Sequence, residues 1–365
     1  MSAARYGTKA NEIREKSLLI QYLIFKTKSA GRGSKSRANY ANLYALYVLV
    51  EDDIQHEFTG SGEYANYAGA RYSDLLRRQR QLPFGEKLQN HGLNGRLNDE
   101  FRKFFPADNP NPIMRRAEDR RYWINETYLL ITTFEGTRLN IAQILLDIID
   151  AYIAEKRRAF GEFLRECQAL QTLQTESREE SQRFIKNLLR PSVDARLFEI
   201  VSFAILKTAY RSQFIYWGWS EEKLQRDALT LYKTGRTNAN DGGIDFVMRP
   251  LGRFFQVTET VDVRKYFLDI EKVRKFPLTF VVKSSESVAE IEQKIREQAE
   301  KQYPVRAFVE TYMACIEEII NIETLLRLFD EASANGKLSE IMDEIMLQSR
   351  TEFNYEEESA GEEQA

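Results

Sequence analysis

Histidine and cysteine are scarce in this chain: two of each in 365 residues. With His56 and His91 as the only imidazoles, histidine-based zinc chemistry and a Ser-His-Asp triad have almost no raw material. Cys167 and Cys315 lie far apart in helix-like segments, so neither a disulfide framework nor a CxxC metal site is expected. No run of eighteen apolar residues is present, and the opening MSAARYGTKANEIREK lacks the apolar centre of a signal peptide. A soluble, cytoplasmic protein without membrane contact is the expectation. What is there is ample core material: 43% hydrophobic residues and 12% aromatics, enough for two or three domains.

The formal net charge of -3 hides an asymmetry. The last fifteen residues, TEFNYEEESAGEEQA, hold six Glu and no Lys or Arg; removing those six charges leaves +3 on the rest. Such a tail, 351–365, is expected to be solvated and disordered. Basic residues cluster in KTKSAGRGSKSR (26–37), LLRRQRQ (75–81) and MRRAEDRR (114–121). Each is individually compatible with a wet surface; three in the first third of a chain lean toward phosphate contacts, with Lys35 and Arg37 as candidates.

Apolar spacing predicts helices over 9–27 and from Ala38 to about Phe58, and a helix from Ser73, with Ser73 as N-cap. In LQNHGLNGRLNDEFRKFF (88–105), Leu88, Leu93, Leu97 and Phe101 recur at five, four and four. Its polar residues Gln89, Asn90, His91, Asn94, Arg96 and Asn98 include amides and a guanidinium, whose paired donors and acceptors match base edges. The plainer reading is the polar face of a Gly-broken helix. The segment INETYLLITTFEGTRLN fits strand, turn or helix, and IAQILLDIIDAYIAEKRRAFGEFLRECQAL a long amphipathic helix.

From Pro191 the pattern changes. PSVDARLFEIVSFAILKTAY reads as a helix capped by Ser192 or Asp194; QFIYWGW, IDFVMRP and RFFQVTET as strands, the last two joined at Pro250-Leu251-Gly252; DVRKYFLDIEKVRKF as a helix; LTFVVK as a fourth strand. The order is αβββαβ within an α+β chain: a mainly helical region 1–190, a core 191–290, C-terminal helices 291–350 and the tail.

That order, with GGIDFVM and FFQVT on adjoining strands, resembles the PD-(D/E)XK nuclease superfamily, most nearly the Gly-Gly-Ile-Asp…Gln-x-Lys version of Mrr-like and type II restriction endonucleases. The resemblance covers roughly 191–290. It implies a restriction-endonuclease-like core, Mg²⁺ as cofactor, double-stranded DNA as substrate, a homodimer, and a cognate DNA methyltransferase as genetic partner. Asp245 and Gln256 stand at the motif's acid and Gln positions, and Glu199 on the preceding helix. Mg²⁺ takes hard oxygen donors, one or two of them carboxylates, so Asp245, the Gln256 amide and the Val257 carbonyl are the expected ligands, with Glu199 binding directly or orienting a water. The loop around 234–241 adds Arg236, Asn238 and Asn240 as DNA-contact candidates.

Each residue has a plainer role as well. Asp245 could cap a turn, Glu199 join a surface ion pair, and Gln256 and Thr258 alternate with Phe255 and Val257 on a one-side-wet strand. The chain departs from the motif at its lysine, where Thr258 stands. Lys233, Lys265 or Lys283 could supply the charge, Glu259 could activate water, or the site could be inactive. Two alternatives to a restriction endonuclease therefore stay open: a non-cleaving DNA-binding protein on a nuclease fold, and a repair or RNA-processing nuclease.

Overall fold

The computed structural model describes residues 9–29, 36–59, 66–86, 88, 92–105, 109–172, 178–234 and 244–353. Several expectations lie outside them: Lys35, Gln89, Asn90, His91, Arg236, Asn238, Asn240 and the acidic tail beyond 353, together with the side chain of Arg37. The chain is a mixed α/β protein of two compact units, one extending to Phe163 and the other from Leu164 to Phe353. The sequence boundary at 190 thus falls inside the second unit. Among the described residues no helix is long and apolar enough to cross a membrane.

The first unit forms around α3 (Ser36–His56), which follows α1 (Lys9–Lys16) and α2 (Leu18–Ser29). From Tyr40 to Val50 every residue of α3 is buried, so this helix is wrapped on all sides rather than presenting one apolar stripe. Strand β1 (Ala70–Arg71) leads into α4 (Tyr72–Gln81). The N-cap of α4 is Arg71, with no side-chain cap, and not Ser73, because the helix already begins at Tyr72.

The Gly-broken helix read from 88–105 has its break at Gly92–Arg96. A π-type turn, Gly92–Arg96, precedes α5 (Leu97–Phe104), and Gly95 has φ of 117°, a region closed to most side chains. Gly92 lies so near α3 that an added Cβ would sit 2.2 Å from the Ala41 carbonyl oxygen. After α5 come β2 (Ile113–Arg116) and β3 (Arg121–Ile124), an antiparallel ribbon flanked by β1 in the order β1-β3-β2. The ambiguous 124–140 stretch resolves into a hairpin, β4 (Leu130–Thr132) with β5 (Arg138–Asn140). Then α6 (Ala142–Thr172) runs on into the second unit.

In the second unit, α7 (Arg178–Asn187) precedes α8 (Ala195–Arg211), whose N-cap is Asp194, accepting the Arg196 N–H at 2.8 Å. Strand β6 (Phe214–Trp217) pairs with β7 (Gln225–Ala228) in a separate two-stranded ribbon. The strand expected first in the core therefore lies outside the main sheet. Its place is taken by β8 (Thr230–Lys233), a short segment that the sequence reading does not single out as a strand.

Strands β9 (Phe246–Arg249) and β10 (Arg253–Thr258) form the expected hairpin; α9 (Val263–Lys272) then leads to β11 (Leu278–Val282). Further on, α10 (Val288–Gln302) and α11 (Arg306–Met313) lead to β12 (Ile316–Ile320), before α12 (Ile322–Ala334) and α13 (Leu338–Phe353). The region 291–350 is thus not all helix: it returns one strand to the sheet.

The sheet order is β12-β11-β10-β9-β8, with β10, β11 and β12 mutually parallel and β8, β9 and β10 antiparallel. All five residues of β11 are buried, as in a strand covered on both faces. One face carries Phe246 and Phe255, whose rings meet Phe203 and Tyr210 of α8. The other carries Phe254, Leu278, Phe280 and Val282, packed with Val263, Tyr266 and Phe267 of α9 and Ile291 and Ile295 of α10.

Candidate active site

Asp245 sits immediately before β9, where β9 and β10 begin to diverge. Its own N–H donates to the Phe255 carbonyl at 3.0 Å, and its Oδ2 accepts the Val257 N–H at 2.7 Å. The carboxylate thus takes a place in the strand ladder that a backbone carbonyl would fill, which holds it close to the plane of the sheet. The paired register is Phe255 with Phe246, and one further step sets Gln256 opposite Asp245. From the next strand, Thr234 binds the Asp245 carbonyl through both its N–H, at 3.0 Å, and its hydroxyl, at 3.1 Å.

From the α8 face come Glu199, Arg196 and Lys233. Glu199 is buried; one carboxylate oxygen pairs with Arg196 a turn earlier, and the other lies 3.3 Å from Lys233 Nζ on β8. Desolvation, and then the negative charge of Glu199, push the Asp245 carboxyl from the usual carboxylate range up to about 8; the Val257 N–H, Arg196 and Lys233 pull the other way. Burial likewise lowers the Lys233 ammonium, against the attraction of Glu199. Glu199 thus stands between two cations, with Asp245 as the second acid of the set.

From the α9 face come Gln256 and Thr258. Gln256 is half-buried, its amide nitrogen 3.4 Å from the Val257 carbonyl. Thr258 is buried, and Lys265 Nζ donates to its hydroxyl at 3.1 Å, so α9 brings a cation to the position where the motif would carry lysine. Lys283 is committed elsewhere: its nearly buried ammonium pairs with Glu259 at 2.8 Å and donates to the Val193 carbonyl. Glu259 is accordingly neutralised in an ion pair. The sequence signal for Arg196 is its i,i+3 spacing to Glu199 on a capped helix.

Among the described residues, no three or more His, Cys, Asp or Glu side chains gather into a metal cluster. A hard divalent cation at the fork would accordingly rely on the Asp245 carboxylate, the Gln256 amide oxygen and water. That donor set suits Mg²⁺, which needs one or two carboxylates and keeps several waters. The raised Asp245 carboxyl fits it too: a carboxylate disfavoured by burial and a like charge gains most from a cation.

Of the amide-rich stretch in the first unit, Asn94, Arg96 and Asn98 are described. Asn98 is buried and makes a reciprocal pair with the Ile113 backbone, donating to its carbonyl at 2.8 Å and accepting its N–H at 3.0 Å. Asn94 accepts from the Tyr122 hydroxyl at 3.3 Å, and Arg96 is exposed. No family model, curated protein or solved structure matches the chain.

Proposed function

We propose that the chain is a Mg²⁺-dependent endonuclease of the type II restriction kind, hydrolysing phosphodiester bonds in double-stranded DNA at specific sites. The observation that carries the reading is the Asp245 carboxylate at the β9–β10 fork, tied to Val257 N–H, with Gln256 opposite it in register and Glu199 and Lys233 beside it. With the separate β6–β7 ribbon set aside, the order α8-β8-β9-β10-α9-β11 supports a restriction-endonuclease-like core, although its first strand is β8 and not the expected segment.

In this reading Asp245 and Gln256, with the Val257 carbonyl, would hold the ion, which would supply acidification of water and neutralisation of charge on the phosphate. Lys233 and Arg196 hold the Glu199 carboxylate in place. Lys265, through Thr258, delivers the positive charge that the motif lysine would carry. A homodimer cutting both strands, cytoplasmic residence and a partner methyltransferase belong to the same proposal.

A DNA-binding protein that does not cleave is the second reading, and one observation favours it: Glu199 is already paired with Arg196 and Lys233. Purified protein incubated with plasmid DNA and Mg²⁺, followed by sequencing of the ends, separates the two. Discrete, recurrent ends that vanish with Asp245→Ala support the endonuclease; intact plasmid that is nonetheless bound supports the second reading.

A further inference from the structure

The ribbon β2–β3 is rooted in the core and exposed at its tip. Ile113, Tyr122 and Ile124 are buried, whereas Met114 to Arg120 form an unbroken exposed run. The strand pairs Met114 with Trp123 and Arg116 with Arg121 share the face away from Ile113 and Ile124. MRRAEDRR carries four arginines against two acids. Arg116 spends its charge on Asp119, and Arg121 donates to the Gly69 carbonyl at 2.9 Å. Arg115 and Arg120 enter no ion pair among the described residues.

The root is held firmly. Asn98 clamps the Ile113 backbone, Asn94 receives the Tyr122 hydroxyl, the Tyr72 and Tyr122 rings lie 5.5 Å apart, and Asn125 N–H donates to the Pro112 carbonyl at 2.9 Å. Two of the amides that the sequence suggests as base readers, Asn94 and Asn98, are therefore supports of this ribbon.

We propose that the β2–β3 ribbon is the duplex-contacting element of the first unit, entering the major groove of B-form DNA with Arg115 and Arg120 on the phosphates flanking it. A two-stranded ribbon fits that groove, and a net positive tip of unpaired guanidinium groups complements a polyanion. A rigid root keeps the tip in one register, as a recognition element requires. This proposal rests on the reading of DNA as substrate and names the surface that meets it.

The test uses the full chain with Ca²⁺ in place of Mg²⁺ and a short labelled duplex, followed by fluorescence anisotropy from about 50 to about 200 mM salt. The double variant Arg115→Gln, Arg120→Asn removes both charges; Asn suits residue 120, which has φ of 54°. The control pair Arg158→Gln, Lys294→Gln removes the same charge from exposed helix positions. The expected result is at least about tenfold weaker binding by the ribbon variant and a log-log salt slope shallower by about 2, with the control near wild type. An RNA duplex of equal length, whose major groove is too narrow for the ribbon, should bind the wild type more weakly.

A ribbon variant matching the control, a wild type that binds no duplex at low salt, or equal affinity for the RNA duplex overturns the proposal. Plasmid cutting by a protein whose ribbon variant binds normally overturns the ribbon and leaves the endonuclease standing. Ribbon-dependent binding without any cutting does the reverse.

Discussion

Asp245 Oδ2 accepts the N–H of Val257 at 2.7 Å, joining the start of β9 to the end of β10 through a side chain. This bond makes Asp245 both a structural and a chemical residue, and the two roles respond differently to substitution. Asp245→Ala should abolish cleavage, by at least about a hundredfold if the ion's contribution to the reaction is lost, while duplex binding in Ca²⁺ persists. Its stability cost should stay within about 1–3 kcal/mol, because the orphaned Val257 N–H is partly offset by removing a poorly solvated carboxylate. Full activity in this variant would place the chemistry elsewhere.

The raised Asp245 carboxyl sets a pH dependence with a definite sign. The folded chain holds this proton up to about 8, whereas the unfolded chain releases it near the ordinary value of 3.8. The folded state binds more protons across that window, so this group's contribution to stability is complete below the unfolded value and is lost as pH rises toward about 8. Thermal melts in chelator at successive pH values should show that decline, and Asp245→Asn should flatten it. Mg²⁺ should stabilise the wild type increasingly as pH rises, since the ion competes with the proton for the carboxylate; a metal effect independent of pH would count against Asp245 as ligand.

Glu199 is the hinge of a buried charge set. Glu199→Ala leaves Arg196 and Lys233 facing one another with no acid between them, and should cost about 3–5 kcal/mol in urea unfolding. Lys233→Met removes a cation whose ammonium form burial already disfavours, and should cost less. If both variants unfold at the wild-type midpoint, the charge set does not hold α8 to β8.

Two substitutions in the first unit separate support from surface. Asn98→Ala breaks both bonds to the Ile113 backbone and should destabilise by about 1–3 kcal/mol, whereas exposed Arg96→Ala should change stability by no more than about 0.5 kcal/mol. Gly92→Ala should be costly as well, because the new methyl meets the Ala41 carbonyl rather than a movable side chain. Equal, small effects at all three positions would contradict the packing of this segment on α3.

Local pattern sufficed for α8, though it left the cap open between Ser192 and Asp194, for the β9–β10 hairpin, for α9 and for strand β11, and it brought Asp245 and Gln256 to neighbouring strands. These features depend on residues close in sequence: an apolar stripe, a capping acid, a turn between two alternating runs. The rest was decided by partners distant along the chain. QFIYWGW has a strand's composition, yet it pairs with Gln225–Ala228 outside the main sheet, while the less strand-like TLYK and charged IEEII join that sheet as its edges. Strand propensity says that a segment suits a pleated surface and not which surface. Asn98 likewise has the chemistry of a base reader until burial gives both its amide groups to Ile113. Lys265 and Lys283 are equivalent as letters, but α9 aims one at Thr258 and the packing around Val193 and Glu259 consumes the other. Residue type decides what a side chain can bond; only the folded chain decides whether a bond remains to be made.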